Sequence, residues 1–288
     1  MNIQGIDTDY IPVLDGAILI VGLNGWGNAL NVSQGMASYL VRTLRAEPFA
    51  RIKPDPFYRY DENRPEIEVT AGELKHLTPP GGVFYLPAID LKGRTPVILT
   101  ADEPNLGWYQ FAHDILALCE TIGVTSVITL GGLFDSVLHT DRTISAIASD
   151  ETVFDRLRRR NVYPISYKGP SAIHSVIHAE AAKQHFDSVS IWCHCPYYLQ
   201  GITHFGLLAG LASLLADLWT IDIDPGDLEA SWQKMSAQIQ EMIDKNPEVQ
   251  ELIRKLRKEK VKGSWAGMRS PAKNGEKVIH LQDFLEPR

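Results

Sequence analysis

"ILIVGLNGWGNALNVSQGMASYLV", residues 18–41, sets an apolar strand, a glycine turn and a helix in succession. Residues 17–22 are almost wholly aliphatic, and apolar residues then recur at helical spacing over 32–44, which is how a strand feeding a covering helix reads. The turn between them either cradles a phosphate or is a tight bend. Its glycines, Gly22, Gly25 and Gly27, match neither G-x-G-x-x-G nor G-x-x-x-x-G-K-[ST], and no lysine follows. Trp26 also puts bulk where a phosphate cradle needs bare backbone. The stretch therefore reads as a β-turn-α bend with Asn24, Trp26 and Asn28 at the carboxyl end of a strand, the edge where open α/β sheets collect ligands.

Working outward, short β-rich runs at 50–52, 66–70, 82–89, 95–100, 126–130, 143–148 and 188–193 alternate with helical patterns at 108–122, 151–159, 172–184 and 204–219. This alternation predicts an α/β fold, a central mixed sheet flanked by helices. Residues 53–80 carry five prolines and no helical period, so they predict a loop-rich insertion or an edge hairpin. The alternation stops after residue 224. Two amphipathic helices follow, broken at Asn246-Pro247, with one stripe from Leu228 through Trp232, Met235 and Ile239 to Ile243 and another from Val249 to Leu256. The expected organisation is an α/β domain over 1–224, a C-terminal helical pair over 225–262 and a tail over 263–288. The stripes offer more apolar surface than the pair can bury between its members, so they are expected to lie on the domain or on a second copy, making a homo-oligomer.

The chain has 288 residues, 44% of them hydrophobic, with a formal charge of −7. Scattered basic residues and a net negative charge argue against nucleic acid as a partner. The N-terminal stretch lacks a signal-peptide pattern and the apolar run at 205–216 is too short to span a bilayer, so no membrane association and a cytoplasmic location are expected. Three cysteines, Cys119, Cys193 and Cys195, do not suggest a disulfide framework.

Several segments could carry chemistry. "LGGLFDSVLHTDR" at 130–142 sets Asp135, His139, Asp141 and Arg142 behind a strand, which is either an acid–base pair with an anion clamp or a glycine turn leading into a surface loop. On a strand, "WCHCP" at 192–196 turns Cys193 and Cys195 to one face and His194 to the other, so the three do not converge on a metal. His174 and His178 are i, i+4 without the glutamate of a zinc-protease helix and read as a solvated helix face. No G-x-S-x-G elbow anchors serine chemistry. If strand-end loops gather on one edge, Asn24, Trp26, Asn28, Glu103, Asn105, His139 and Arg142 should line one crevice, with no metal and no cofactor that the residues name.

Six blocks in register, "GLNGWGNA", "YRYDENRP", "EPNLGWYQFAHDIL", "LGGLFDSVLHTDR", "YKGPSAIHSVI" and "IWCHCPYYL", resemble the proteasome assembly chaperone family in its uncharacterised prokaryotic branch, over about residues 10–250. The resemblance implies a phosphorylase/hydrolase-like α/β fold, an oligomer, a protein-binding or assembly role, and no particular reaction. This chain departs from the family pattern at Leu138-His139-Thr140-Asp141-Arg142, where relatives carry Pro-His-Thr-Arg-Pro, and at Pro196-Tyr197-Tyr198, where they carry Pro-His-Tyr. Its end at Leu285-Glu286-Pro287-Arg288 also lacks the hydrophobic-Tyr-any tail of archaeal members that engage the proteasome. The alternative expectation is a small-molecule hydrolase or phosphorylase-like enzyme working in the strand-end crevice.

Overall fold

The computed structural model describes residues 3–89, 91–261 and 279–280. In chain order its strands are β1 (Ile6–Thr8), β2 (Ala17–Asn24), β3 (Ala46–Ile52), β4 (Glu66–Thr70), β5 (Glu73–Thr78), β6 (Gly82–Pro87), β7 (Pro96–Asp102), β8 (Val124–Asp135), β9 (Ile144–Ala148), β10 (Tyr163–Pro164), β11 (Asp187–Pro196), β12 (Leu199–Gln200) and β13 (Ile279–His280). The helices are α1 (Val32–Thr43), α2 (Trp108–Ile122), α3 (Glu151–Arg158), α4 (Ile173–Lys183), α5 (Phe205–Trp219), α6 (Gly226–Lys245) and α7 (Pro247–Val261).

Nine strands form one mixed sheet in the order β1-β3-β6-β7-β2-β8-β11-β9-β10. Strands β7, β2, β8 and β11 are parallel neighbours, so their carboxyl ends share one edge, while β6 joins β7 and β9 joins β11 antiparallel. The all-aliphatic β2 follows from this position. Ile18 and Ile20 enter the core layer shared with α1, α5, α6 and α7, and Leu19, Val21 and Leu23 enter the layer shared with α2 and α4. A parallel strand covered on both faces needs apolar residues at every position rather than at alternate ones. The expected α/β architecture is the one observed.

The glycines of the turn are explained by close approach. A β-carbon on Gly22 would stand 2.4 Å from the Ala37 β-carbon and 2.5 Å from the Ser33 carbonyl oxygen, so glycine lets α1 settle directly on the end of β2. The buried Ser33 hydroxyl then ties the elements together, donating to the Leu130 carbonyl of β8 and accepting from the Leu23 N–H of β2. Gly132 of β8 donates its N–H to the Gly27 carbonyl at 2.7 Å, which folds the turn over the strand ends.

The late helices differ from expectation in one respect. Leu228, Trp232, Ile239, Met242 and Ile243 of α6 and Val249, Ile253 and Leu256 of α7 are all buried in the chain's own core. The receiving surface is α5, where Gly206 leaves room for the Trp232 indole; a β-carbon there would lie 2.7 Å from it. These stripes are therefore covered mainly by the chain's own domain, with Met235 and Leu252 partly buried at their margins. The insertion at 53–80 contains β4 and β5, a separate two-stranded antiparallel hairpin whose residues are all exposed. Of the expected tail at 263–288, only Ile279–His280 falls within the described residues, pairing in parallel with Leu199–Gln200.

Because the groups facing Gly22 are backbone and a helix-fixed β-carbon, Gly22→Ala is expected to lower stability by about 1–3 kcal/mol through overpacking. Urea unfolding followed by circular dichroism measures this; an unchanged midpoint would mean that α1 does not seat on Gly22.

Candidate functional site

A concavity of about 400 Å³ opens at the carboxyl ends of β2 and β7. Asn24, Gly25 and Trp26 from the glycine turn, and Asp102, Glu103, Pro104 and Asn105 after β7, form its floor and one side. Glu62 and Asn63 from the insertion, Trp108 of α2 and Ser171 before α4 close the rest. Trp26 stands 55% exposed at its mouth.

Each carboxylate in this wall already holds backbone or loops. Glu103 accepts from the Trp26 N–H at 2.8 Å through one oxygen and from the Ile173 N–H, the first residue of α4, at 3.0 Å through the other. One side chain thereby closes the glycine turn and caps a helix. Asp102 accepts from the Asn24 amide at 3.1 Å and the Gly81 N–H at 3.2 Å, and its carbonyl accepts from the Tyr58 hydroxyl at 2.8 Å. Burial, reinforced by the Asp102 charge, pushes the Tyr58 phenol up. Glu62 accepts from the Asn105 amide at 3.0 Å and pairs with Arg59 at 2.9 Å.

The turn's Trp26 N–H, which a phosphate would need, is thus taken by the chain's own carboxylate. Three acidic side chains against no lining cation make the concavity repel anions. Its lining contains no imidazole or thiol.

Of the seven expected crevice residues, Asn24, Trp26, Glu103 and Asn105 line this concavity, and Asn28, His139 and Arg142 do not. Asn28 serves α1 instead, its side-chain oxygen accepting from the Ser33 N–H at 2.9 Å and the Gln34 N–H at 3.1 Å. His139 is buried beside the start of α5: the Tyr198 hydroxyl accepts from its backbone N–H at 2.7 Å and lies 2.8 Å from its Nδ1. The His139 carbonyl accepts from His204 Nε2 at 3.0 Å, and the His204 ring stacks on Trp232 with centroids 4.6 Å apart. Arg142 donates to Glu229 of α6 at 2.8 Å and holds that carboxyl below its usual range. His139 and Arg142 therefore fasten α6 to the domain. His174 also corrects the expected solvated helix face, since it is buried with Nε2 on the Leu130 carbonyl. Glu62, Asp102 and Trp108 were missed as lining residues because nothing local in the sequence marks which loops meet. Among the described residues, no group of three or more His, Cys, Asp or Glu could hold a metal ion, and no helix is long and apolar enough to cross a membrane.

The mixed sheet, the self-closed glycine turn and the acidic strand-end concavity define an α/β protein with no nucleotide loop. The PAC2 family model matches residues 19–243, and the chain belongs to the PAC2 family. No curated protein matches it in sequence. Among solved structures it is similar to a protein of unknown function from Corynebacterium glutamicum, with a TM-score of 0.80 and 20% identity over 90% of this chain and 98% of that one. It is also similar to a PAC2 family protein from Streptomyces avermitilis, with a TM-score of 0.73 and 24% identity over 82% and 99% of the two chains. A proteasome-assembly chaperone homologue of Mycobacterium tuberculosis gives a TM-score of 0.72 and 23% identity over 82% and 99%. At these identities the likeness shows the shared fold.

Burial, reinforced for His139 by the Arg257 charge, pulls His139 and His204 from 6.5 to about 4. Between those values the unfolded chain binds more protons, so stability is fully present above about pH 6.5 and falls as pH drops toward 4, by about 3 kcal/mol for each ring. Denaturant unfolding at pH 7.5 and pH 5 is expected to show this loss, and equal stability at the two values would contradict neutral burial of these rings.

Proposed function

We propose that the protein is a protein-binding member of its family that works in assembly as a homo-oligomer. The observation that carries this reading is the β4–β5 hairpin. Its ladder sets Ile67 opposite Leu77 and Val69 opposite Leu74, with exposures of 64%, 60%, 54% and 56%. Glu66 opposite Thr78 and Glu68 opposite His76 alternate with them, and a register irregularity after Glu68 brings Leu74 opposite Val69, so the four aliphatic side chains form two exposed apolar pairs on the ribbon. An isolated two-stranded hairpin is marginal in water, and one with exposed apolar pairs gains stability when they are covered. The occupant we assign is the same hairpin of a second copy, because two uncharged cross-strand pairs are self-complementary about a two-fold axis.

Membership of the PAC2 family and likeness to a proteasome-assembly chaperone homologue support an assembly role. The acidic concavity beneath Trp26 remains for the assembly partner, and its charge favours a basic segment. An enzyme working in this concavity has lost His139 and Arg142 to structural duties.

Light scattering at tens of micromolar should give a mass above one chain for the unmodified protein and one chain for Ile67→Glu/Leu77→Glu. Both sites are exposed on a hairpin separate from the nine-stranded sheet, so the domain keeps its fold, and circular dichroism of the variant checks this. A monomeric unmodified protein would end the proposal of an oligomer, and an oligomeric variant would move the contact away from the hairpin.

A further inference from the structure

Three residues that the strand-end concavity does not use lie in one hydrogen-bonded line on the sheet. His194 Nδ1 is 2.7 Å from Asp135 Oδ2, and His194 Nε2 is 2.8 Å from Ser145 Oγ. They come from β11, the end of β8 and β9, which are neighbours in the order β8-β11-β9. Asp135 is itself fixed, since its other oxygen accepts from the Ser136 N–H at 2.6 Å. With Nδ1 donating to the Asp135 side chain, Nε2 is left to accept from the Ser145 hydroxyl. This is the order and polarity of contacts that activate a serine nucleophile, and such a set is recognised by geometry rather than by position in the chain. We propose that Ser145, His194 and Asp135 form an acyl-transfer site for small apolar esters, Ser145 as nucleophile, His194 as general base and acid, and Asp135 as the positioning residue.

The surroundings set the substrate class. Ser145 itself is 3% exposed, which suits a small acyl group rather than a peptide. Its register partners are Trp192 on β11 and Tyr163 on β10, which share its face of the sheet, and Ile147 follows two residues on along β9. Tyr163 is 58% exposed and Ile147 37%, whereas Trp192 is buried, so Ser145 lies at the inner end of an aromatic and aliphatic strip that reaches solvent at Tyr163 and Ile147.

In the reaction, Ser145 Oγ bonds to the ester carbonyl carbon while its proton passes to His194 Nε2. The carbon–alkoxy bond then breaks and the alcohol leaves with that proton. Water next attacks the acyl carbon, gives a proton to Nε2 and releases the carboxylic acid as the bond to Oγ breaks; the proton returns to Oγ. The net change is ester plus water to acid plus alcohol.

The test uses the full chain with two probes, a fluorophosphonate and p-nitrophenyl acetate. Peptide mass spectrometry is expected to place a single phosphonyl adduct on Ser145 of the unmodified, folded protein. Ser145→Ala should lose the adduct and lower acetate turnover by about a hundredfold or more. Asp135→Asn should lower kcat with KM unchanged, because it reverses the polarity that sets the His194 tautomer, an effect that a merely structural hydrogen bond would not produce. No adduct on Ser145 after hours in millimolar probe would overturn the proposal without recourse to any variant. Wild-type turnover by a folded Ser145→Ala would overturn it equally. Neither result bears on the oligomer, which rests on the hairpin.

Discussion

Close backbone approach at the carboxyl ends of the central parallel strands governs the rest of the molecule. With no side chain at Gly22, α1 sits against β2 closely enough for the Ser33 hydroxyl to join β2 and β8. Gly27 lies where a β-carbon would meet the buried His174 ring at 2.7 Å, so the turn packs down on α4 as well. Held from both sides, the turn presents its Trp26 N–H to Glu103, whose second oxygen reaches the start of α4. A glycine turn that in other folds receives a phosphate is here a packing joint sealed by a carboxylate. Sealing it with a negative charge is also what makes the concavity acidic.

This joint was half legible in the sequence. Periodicity over 17–22 and 32–44 identifies a strand and its covering helix, and the missing lysine argues against a phosphate loop. That Glu103 closes the turn could not be read, because it lies 77 residues from Trp26 and nothing local distinguishes it from a solvated glutamate. The same limit applies at His139 and Arg142, where residue type suggested chemistry but the partners, Tyr198, His204 and Glu229, are settled only by where α5 and α6 pack. Amphipathic stripes announced that α6 and α7 must be covered. Which surface covers them depended on α5, where Gly206 makes room for the Trp232 indole.

Strand alternation set His194 on a known face but said nothing of Ser145, since adjacency across β8, β11 and β9 is a matter of topology. Their line of hydrogen bonds runs from β8 and β9 through β11, which lies between them in the sheet but about fifty residues on in the chain, and Asp135, which the sequence groups with His139, instead serves His194. The hairpin shows the same limit. Its proline-rich flanks made the insertion recognisable, but its exposed apolar pairs rest on a register irregularity between Glu68 and Val69 that sets Leu74, not Lys75, opposite Val69, which alternation alone does not give. This ribbon presents four exposed aliphatic side chains in two facing pairs.

The central claim, that the glycine turn is closed by Glu103 and does not take anions, is tested most directly by Trp26. Its indole is exposed at the mouth of the concavity, so tryptophan fluorescence during titration with pyrophosphate and ATP reports occupancy, with Trp26→Phe identifying its share of the signal. The account predicts no saturable change up to millimolar ligand. A saturable change in the unmodified protein that disappears in Trp26→Phe would contradict it.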